Sequence, residues 1–234
     1  MSGFLRERRR EAEWMDRDDV DPRLLRRSLA FIKRVNTLFG YTRATISHLE
    51  RFSRRWKPGQ RIEIIDLATG SGDVPRAVLR WAARRGFEVH VVGVDRHTET
   101  VAAAREEGDV PSFTIVQGDA LRVPFADGSF DYALTSMFLH HLSDDEAAAV
   151  MREMGRLARR GVIVADLLRH RRAYAWIRAL TIFANPIVRH DAAVSVAQAF
   201  TREEVLVLRE RAGLGFTEYH RHFGHRFVLA GEKP

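Results

Sequence analysis

The sequence predicts an α/β fold, a doubly wound and mostly parallel sheet that ends in an antiparallel hairpin and is preceded by N-terminal cap helices. Three observations carry that prediction. From Arg61 onward, short apolar runs alternate with helical stretches, and strand–helix–strand units of this kind build parallel sheets covered on both faces. The first apolar run passes into a glycine turn, Gly70-Ser71-Gly72, that opens a helical pattern. The last two apolar runs are separated by only a few residues around 221–224, too few for a parallel crossover.

In chain order, Asp21-Pro22 starts a helix in which Leu24, Leu25, Leu29, Ile32, Val35, Leu38 and Phe39 recur at three- and four-residue spacing before Gly40. A second helix, Thr42 to Trp56, stops at the turn Lys57-Pro58-Gly59. Strands are predicted over Arg61 to Ala68, Glu88 to Val94, Ser112 to Gln117, Phe130 to Met137 and Gly161 to Leu168. Helices fall over Asp73 to Arg85 and Thr98 to Glu107, and a capping box at Ser143-Asp144-Asp145-Glu146 opens another to about Arg159. Thr201-Arg202-Glu203-Glu204 is a second capping box, whose helix stops near Gly213 before strands at about Gly215 to His220 and His225 to Ala230. The predicted organisation is a basic helical segment at 1–60 and a ligand-binding domain at 61–234, with a lid insertion around 169–200.

With 45% hydrophobic and 29% charged residues among 234, the composition is that of an ordinary globular chain. No stretch approaches the roughly 20 uncharged apolar residues of a membrane span. The arginine-rich start lacks the apolar centre of a secretory signal, so a cytoplasmic location is expected. Without cysteine there is no disulfide framework, zinc ribbon, iron–sulfur cluster or cysteine nucleophile. The net charge of +7 sits entirely in residues 1–60, which hold 15 basic and 8 acidic residues. Residues 61–150 are acidic, 8 basic against 15, and residues 151–180 are basic, 8 against 2.

Asp66, at the end of the first strand, and Asp73 flank the glycine turn. Asp95 ends the second strand, where a carboxylate accepts from a ribose diol, and Asp119 follows the third, where one accepts from an adenine amine. A dinucleotide fingerprint is broken by Pro75, and no Gly-Lys-Ser/Thr of a P-loop occurs in the turn. Acidic residues around the turn repel phosphate and suit an ammonium and a sulfonium, which favours S-adenosylmethionine over a nucleotide.

Residues 60–231 resemble the class I S-adenosylmethionine-dependent methyltransferases, most of all their ubiquinone/menaquinone-biosynthesis branch. The resemblance rests on Asp-Leu-Ala-Thr-Gly-Ser-Gly-Asp (66–73), Gly-Val-Asp (93–95), Gly-Asp-Ala (118–120), Val-Pro-Phe-Ala-Asp-Gly-Ser-Phe-Asp-Tyr (123–132) and Leu-His-His-Leu (139–142). It implies a Rossmann-like sheet and S-adenosyl-L-methionine as cofactor, with S-adenosyl-L-homocysteine as product. It further implies that Ala68, Gly70 and Gly72 lie against the methionine and ribose portions and Asp66 near the amino-acid end. Asp95 would hold the ribose, Arg96 would flank the adenine, Asp119 and Ala120 would read its edge, and Ser136 and Met137 would border the methyl group.

Methyl transfer to a phenol or enol requires alignment, exclusion of water and removal of a proton. His140 and His141 follow the fourth strand, with His140 the preferred base and a packing role expected for at least one of them. His190, in Arg189-His190-Asp191, is the other candidate base or anchor. His220, His222 and His225 read as a polar hairpin face, and no metal centre is expected. The helical stretch 169–183, with Tyr174, Trp176, Ile177, Leu180 and Phe183, and the Leu24 to Phe39 helix could roof the crevice over a hydrophobic or aromatic acceptor. The function expected is methyl transfer to oxygen or carbon of an aromatic, quinol or polyketide-type small molecule. A nucleic-acid methyltransferase is the alternative that the basic N-terminus raises, but Thr135-Ser136-Met137-Phe138 lacks the Asn/Asp-Pro-Pro-aromatic signature of base methylation. A non-catalytic cofactor-binding protein is the other, docking on a membrane or a partner through that basic segment.

Overall fold

The computed structural model describes residues 5, 7–16, 20–38, 40–108 and 110–234, and at positions 16, 22, 32 and 35–38 the backbone alone. Two helices lead in, α1 (Pro22–Leu38) and α2 (Tyr41–Ser53). The domain then runs β1 (Arg61–Leu67), α3 (Asp73–Arg85), β2 (Glu88–Asp95), α4 (Thr98–Glu106), β3 (Phe113–Gln117), β4 (Phe130–Ser136), α5 (Asp144–Leu157) and β5 (Ala158–Leu167). It ends with α6 (Arg171–Leu180), α7 (Pro186–Gln198), α8 (Arg202–Arg211), β6 (Glu218–His222) and β7 (Arg226–Glu232). Phe39, expected to close the first helix, lies outside the described residues.

Seven strands form one sheet in the order β3-β2-β1-β4-β5-β7-β6. The first five are parallel, and β7 is antiparallel to both β5 and β6. The expected hairpin is therefore present, and it closes over Phe223-Gly224-His225, with Gly224 and His225 at φ 78 and 57°. Because β2 lies on one side of β1 and β4 on the other, a crevice opens at the carboxyl ends of β1 and β4, where ligands bind in such sheets.

Alternation along the strands splits the core into two layers. Ile64 of β1 packs with Leu49, Phe52 and Trp56 of the α2 region and with Val78 and Trp81 of α3. Its neighbour Ile65 points the other way, toward Met151 and Met154 of α5 and Val205 and Leu208 of α8. Each fully buried side chain of this size contributes roughly 1.5–3 kcal/mol. The buried Trp56 Nε1 donates to the Tyr132 hydroxyl at 2.8 Å, which donates to Glu232 at 2.8 Å, so these two polar tips in the layer are satisfied.

Several boundaries differ from those that the sequence predicts; α2, for one, ends at Ser53 and not Trp56, and β5 starts at Ala158 and not Gly161. α5 stops at Leu157, not near Arg159, because Ala158 already pairs with Phe130 in the sheet. β6 starts at Glu218, later than expected, because both the Thr217 amide and hydroxyl donate to Leu214 O and turn the chain there. The lid insertion before Thr201, in which the sequence predicts a helix only at 169–183, also contains α7, capped by Asn185, whose side chain accepts from Val188 N, with Pro186 in its first turn. It shows no amphipathic stripe in sequence because Ile187, Val188, Asp191, Val194, Ser195, Val196, Ala197 and Gln198 are all buried. Among the described residues, no helix is long and apolar enough to cross a membrane.

Candidate active site

A cavity of about 880 Å³ occupies the crevice. Its floor is the carboxyl edge of the sheet, where Asp66, Ala68, Gly70, Asp95, Arg96, Asp119, Ala120, Ser136 and Met137 all line the wall. Nine of the ten residues that the resemblance assigned to the cofactor are thereby brought together. Gly72 is the exception. It is the left-handed cap of α3, and a Cβ there would sit 2.6 Å from the Arg76 guanidinium and 2.7 Å from the Phe113 ring, so its glycine serves packing behind the turn.

Two of the floor residues carry backbone that L side chains seldom adopt. Ala68 has φ 56° and Met137 φ 59°, both just past a strand end on the cavity wall. Such conformations persist where the surroundings over-determine them, and they concentrate at ligand sites. Asp95 Oδ2 accepts from Gly70 N at 2.9 Å and its Oδ1 from His97 N at 3.0 Å, so it ties the glycine turn to the end of β2. Asp119, which also lines the wall, accepts from Leu121 N at 2.9 Å.

Asp66 is the most informative group on the floor. Its Oδ2 accepts from the Thr69 hydroxyl at 2.7 Å, while its Oδ1 is buried with no hydrogen-bond partner among the described residues. Burial, with Asp73 and Asp95 nearby, raises its pKa to about 7. A buried, unpaired carboxylate oxygen at a cavity edge is a vacancy for a cationic donor. That fits the ammonium of S-adenosylmethionine and does not fit a phosphate.

His140 sits in the short 3-10 turn Leu139–His141 after β4, and it is 3% exposed on the cavity wall. Asp166, 1% exposed at the end of β5, accepts from His140 Nδ1 at 2.7 Å and from the His140 amide at 3.0 Å. Donation to a carboxylate places the imidazole proton on Nδ1 and leaves the Nε2 lone pair for another partner. The nearest described carboxylate to Nε2 is Glu13 Oε1, at 3.7 Å. The sequence reading missed Asp166, although its signal was available: like Asp66, it is the one acidic residue near the end of an otherwise apolar strand.

His190 is a correction. It does not line the cavity; its ring stacks on Trp14 at 4.1 Å between centroids, with Nδ1 2.8 Å from Asp191 and Nε2 3.2 Å from Glu11. One residue on in α7 points the other way, so Asp191 reaches the wall and accepts from the amides of Trp14 and Met15. The hairpin histidines gain a partner that sequence did not suggest: His48 of α2 lies 3.2 Å from His222, Nε2 to Nε2, and its ring is 4.6 Å from that of His220. Burial lowers the His48 pKa to about 3, which keeps this cluster neutral and structural. Although no metal centre was expected, Glu13, His140 and His141 bring ligand atoms within 4.8 Å of one another.

The roof is apolar and comes from distant segments: Leu25 and Leu29 of α1, Trp176 and Leu180 of α6, Ile187 of α7 and Phe223 of the hairpin. Tyr41 stands under the Arg226 guanidinium, 3.0 Å from its ring centre, and both face the cavity.

Comparison with known proteins agrees with this geometry. Residues 64–161 match the family model described as a methyltransferase domain. The chain is 37% identical over 103 residues to a demethylmenaquinone methyltransferase of Roseiflexus sp. (strain RS-1), covering 44% of this chain and 41% of that protein. It is 38% identical over 94 residues to a 2-phytyl-1,4-naphtoquinone methyltransferase of Thermosynechococcus vestitus, covering 40% of each. The matches thus span about two fifths of these relatives' own length. A solved magnesium protoporphyrin IX methyltransferase of Synechocystis PCC 6803 with bound S-adenosylhomocysteine shares the fold, at TM-score 0.58 and 15% identity over 83% of this chain and 84% of that one.

Proposed function

Since the chain carries a class I S-adenosylmethionine-dependent methyltransferase domain, similar to those of ubiquinone and menaquinone biosynthesis, we propose that it methylates oxygen or carbon of a hydrophobic aromatic or quinol-type small molecule. The observation that carries this reading is the buried His140–Asp166 pair, whose histidine lines a cavity that also carries apolar side chains from α1, α6 and the hairpin. When bound, S-adenosylmethionine supplies an electrophilic methyl group whose C–S bond breaks as the acceptor's electron pair bonds to its carbon, leaving S-adenosylhomocysteine.

The chain's own residues divide the remaining work. Asp66 receives the ammonium on its unpaired Oδ1, Asp95 and the Gly70 turn hold the ribose side, and Asp119 with Ala120 meets the adenine. Ser136 and Met137 border the transfer position. His140 Nε2 takes the acidic proton of a phenol or enol, and Asp166 stabilises the imidazolium that forms and fixes its orientation. α1 and α6 act as a lid that excludes water and selects apolar acceptors, with Trp176 and Leu180 above the opening.

The test is incubation of the full chain with S-adenosylmethionine and a panel of reduced naphthoquinones and naphthols, read by mass spectrometry. A singly methylated aromatic product is expected. Formation of S-adenosylhomocysteine only with RNA or DNA, and with no aromatic acceptor, would sink the reading.

A further inference from the structure

Glu13 comes from a segment that precedes β1 by almost fifty residues, yet it is 3% exposed and lies on the cavity wall beside His140. Several contacts hold the segment there. Arg8 donates to Gln198 O at 2.5 Å, to Asp144 at 2.7 Å, and to the carbonyls of His140 and Leu142, while its guanidinium covers the Phe200 ring at 3.6 Å. Asp191 accepts from the amides of Trp14 and Met15 at 2.8 and 3.0 Å. The strap is therefore stitched to α7 and to the loop that carries His140.

The carboxylate at its end is only half satisfied. Ser195 Oγ donates to Glu13 Oε1 at 2.6 Å and Gln198 Nε2 donates to the same oxygen at 3.4 Å. Among the described residues nothing donates to Oε2. His140 Nε2 stands 3.7 Å from Oε1, beyond hydrogen-bond distance. Leaving a buried carboxylate short of donors is costly, so an oxygen kept open on a cavity wall is a place for a ligand's donor.

We propose that Glu13 is an acceptor-recognition residue: it accepts a hydrogen bond from a second hydroxyl of a dihydroxylated aromatic whose first hydroxyl faces His140. This deepens the methyl-transfer reading and rests on it. The Glu13 carboxylate lies close to His140 Nε2, its Oε1 at 3.7 Å, so the two groups can meet two hydroxyls carried by one small aromatic. An acceptor lacking the second hydroxyl leaves the carboxylate buried and unpaired, which is how a polar site rejects an analogue of nearly the same shape.

The experiment is calorimetry on the full chain saturated with S-adenosylhomocysteine, titrated with 1,3-dihydroxynaphthalene and with 1-naphthol. The wild type is expected to prefer the diol by at least about tenfold, the worth of one charge-assisted hydrogen bond. Glu13→Gln is expected to bring the two affinities within about twofold, by weakening the diol and relieving the penalty on 1-naphthol, while leaving that for S-adenosylhomocysteine unchanged. Equal wild-type affinities, which need no variant, would overturn the proposal, as would a Glu13→Gln protein that keeps the preference. A diol preference that appears only with added zinc or manganese and vanishes with EDTA would also overturn it, assigning Glu13, His140 and His141 to a cation instead. Failure of both naphthols to bind a protein that holds S-adenosylhomocysteine would sink the small-aromatic reading along with it.

Discussion

On the floor of the crevice, Asp66, Gly70, Asp95 and Ser136 come from the ends of β1, β2 and β4, strands that lie side by side in the sheet. The roof gathers Glu13, Leu25, Trp176, Ser195 and Phe223 from segments spread over most of the chain. The floor is positioned by parallel ladders whose register, such as Asp66 opposite Gly93, admits little variation. The roof is positioned by side-chain packing and a few long-range hydrogen bonds. The difference is also one of chemistry, an acidic floor against a mostly apolar roof into which Glu13 and Ser195 are set, and under the proposed function the cofactor falls to the ladder and the choice of acceptor to the packed segments.

The largest expected effect lies where the two regions meet. His140→Ala is predicted to lower the rate of methyl transfer by about 10²–10⁴, the range for loss of a positioned base, with S-adenosylhomocysteine affinity by calorimetry unchanged. Asp166→Asn should lower the rate less, because the imidazole remains but its tautomer is no longer enforced. A fall in cofactor affinity in either variant would erase the boundary between floor and roof.

Next comes the floor. The raised Asp66 pKa of about 7 has two consequences with worked signs. Without cofactor, the folded protein keeps a proton that the unfolded chain releases near pH 4, so stability falls as pH rises from about 4 through 7. Binding of the cationic cofactor selects the ionised form, so affinity for S-adenosylhomocysteine, which keeps the ammonium, should tighten by about tenfold between pH 6 and 8. Calorimetry across that range on wild type and Asp66→Asn checks both, since the variant should bind weakly and without this pH dependence.

A change in the roof should divide the other way. Trp176, 60% exposed at the cavity mouth, is expected on replacement by Ala to raise the acceptor KM about three- to tenfold, as loss of part of a buried aromatic contact would. The cofactor KM should not move in steady-state assays. The smallest effect is remote from both regions. Ser143→Ala removes the capping box of α5 and should cost about 1 kcal/mol, lowering Tm by a few degrees with kinetics unaltered.

The legibility of the molecule in its sequence follows the same division. Strand ends, the glycine turn and the acidic residues after β1, β2 and β3 were readable, because short-range pattern and parallel topology determine them together. The antiparallel hairpin was readable from its short connection. α7 was not, since a helix buried on nearly every side has no polar stripe to give it a period, and only Asn185-Pro186 marked its start. Gly72 was assigned to the ligand because sequence shows a glycine but not the Arg76 and Phe113 side chains that require it. His190 and Asp191 are neighbours in a helix and so point in different directions, and the acid, not the histidine, reaches the cavity. Glu13 had no local signal at all: its place depends on Arg8, Ser195 and Gln198, contacts that span more than 130 residues.

The most direct measurement is the transfer of labelled methyl from S-adenosylmethionine to a reduced 1,4-naphthoquinone by wild type and His140→Ala, with cofactor affinity measured on the same preparations. Transfer by the wild type, with a loss of about a hundredfold or more in a variant that still binds S-adenosylhomocysteine normally, is the predicted result. Equal transfer by the two proteins would contradict the role of the His140–Asp166 pair. Transfer by neither, despite intact cofactor binding, would contradict the proposed acceptor class.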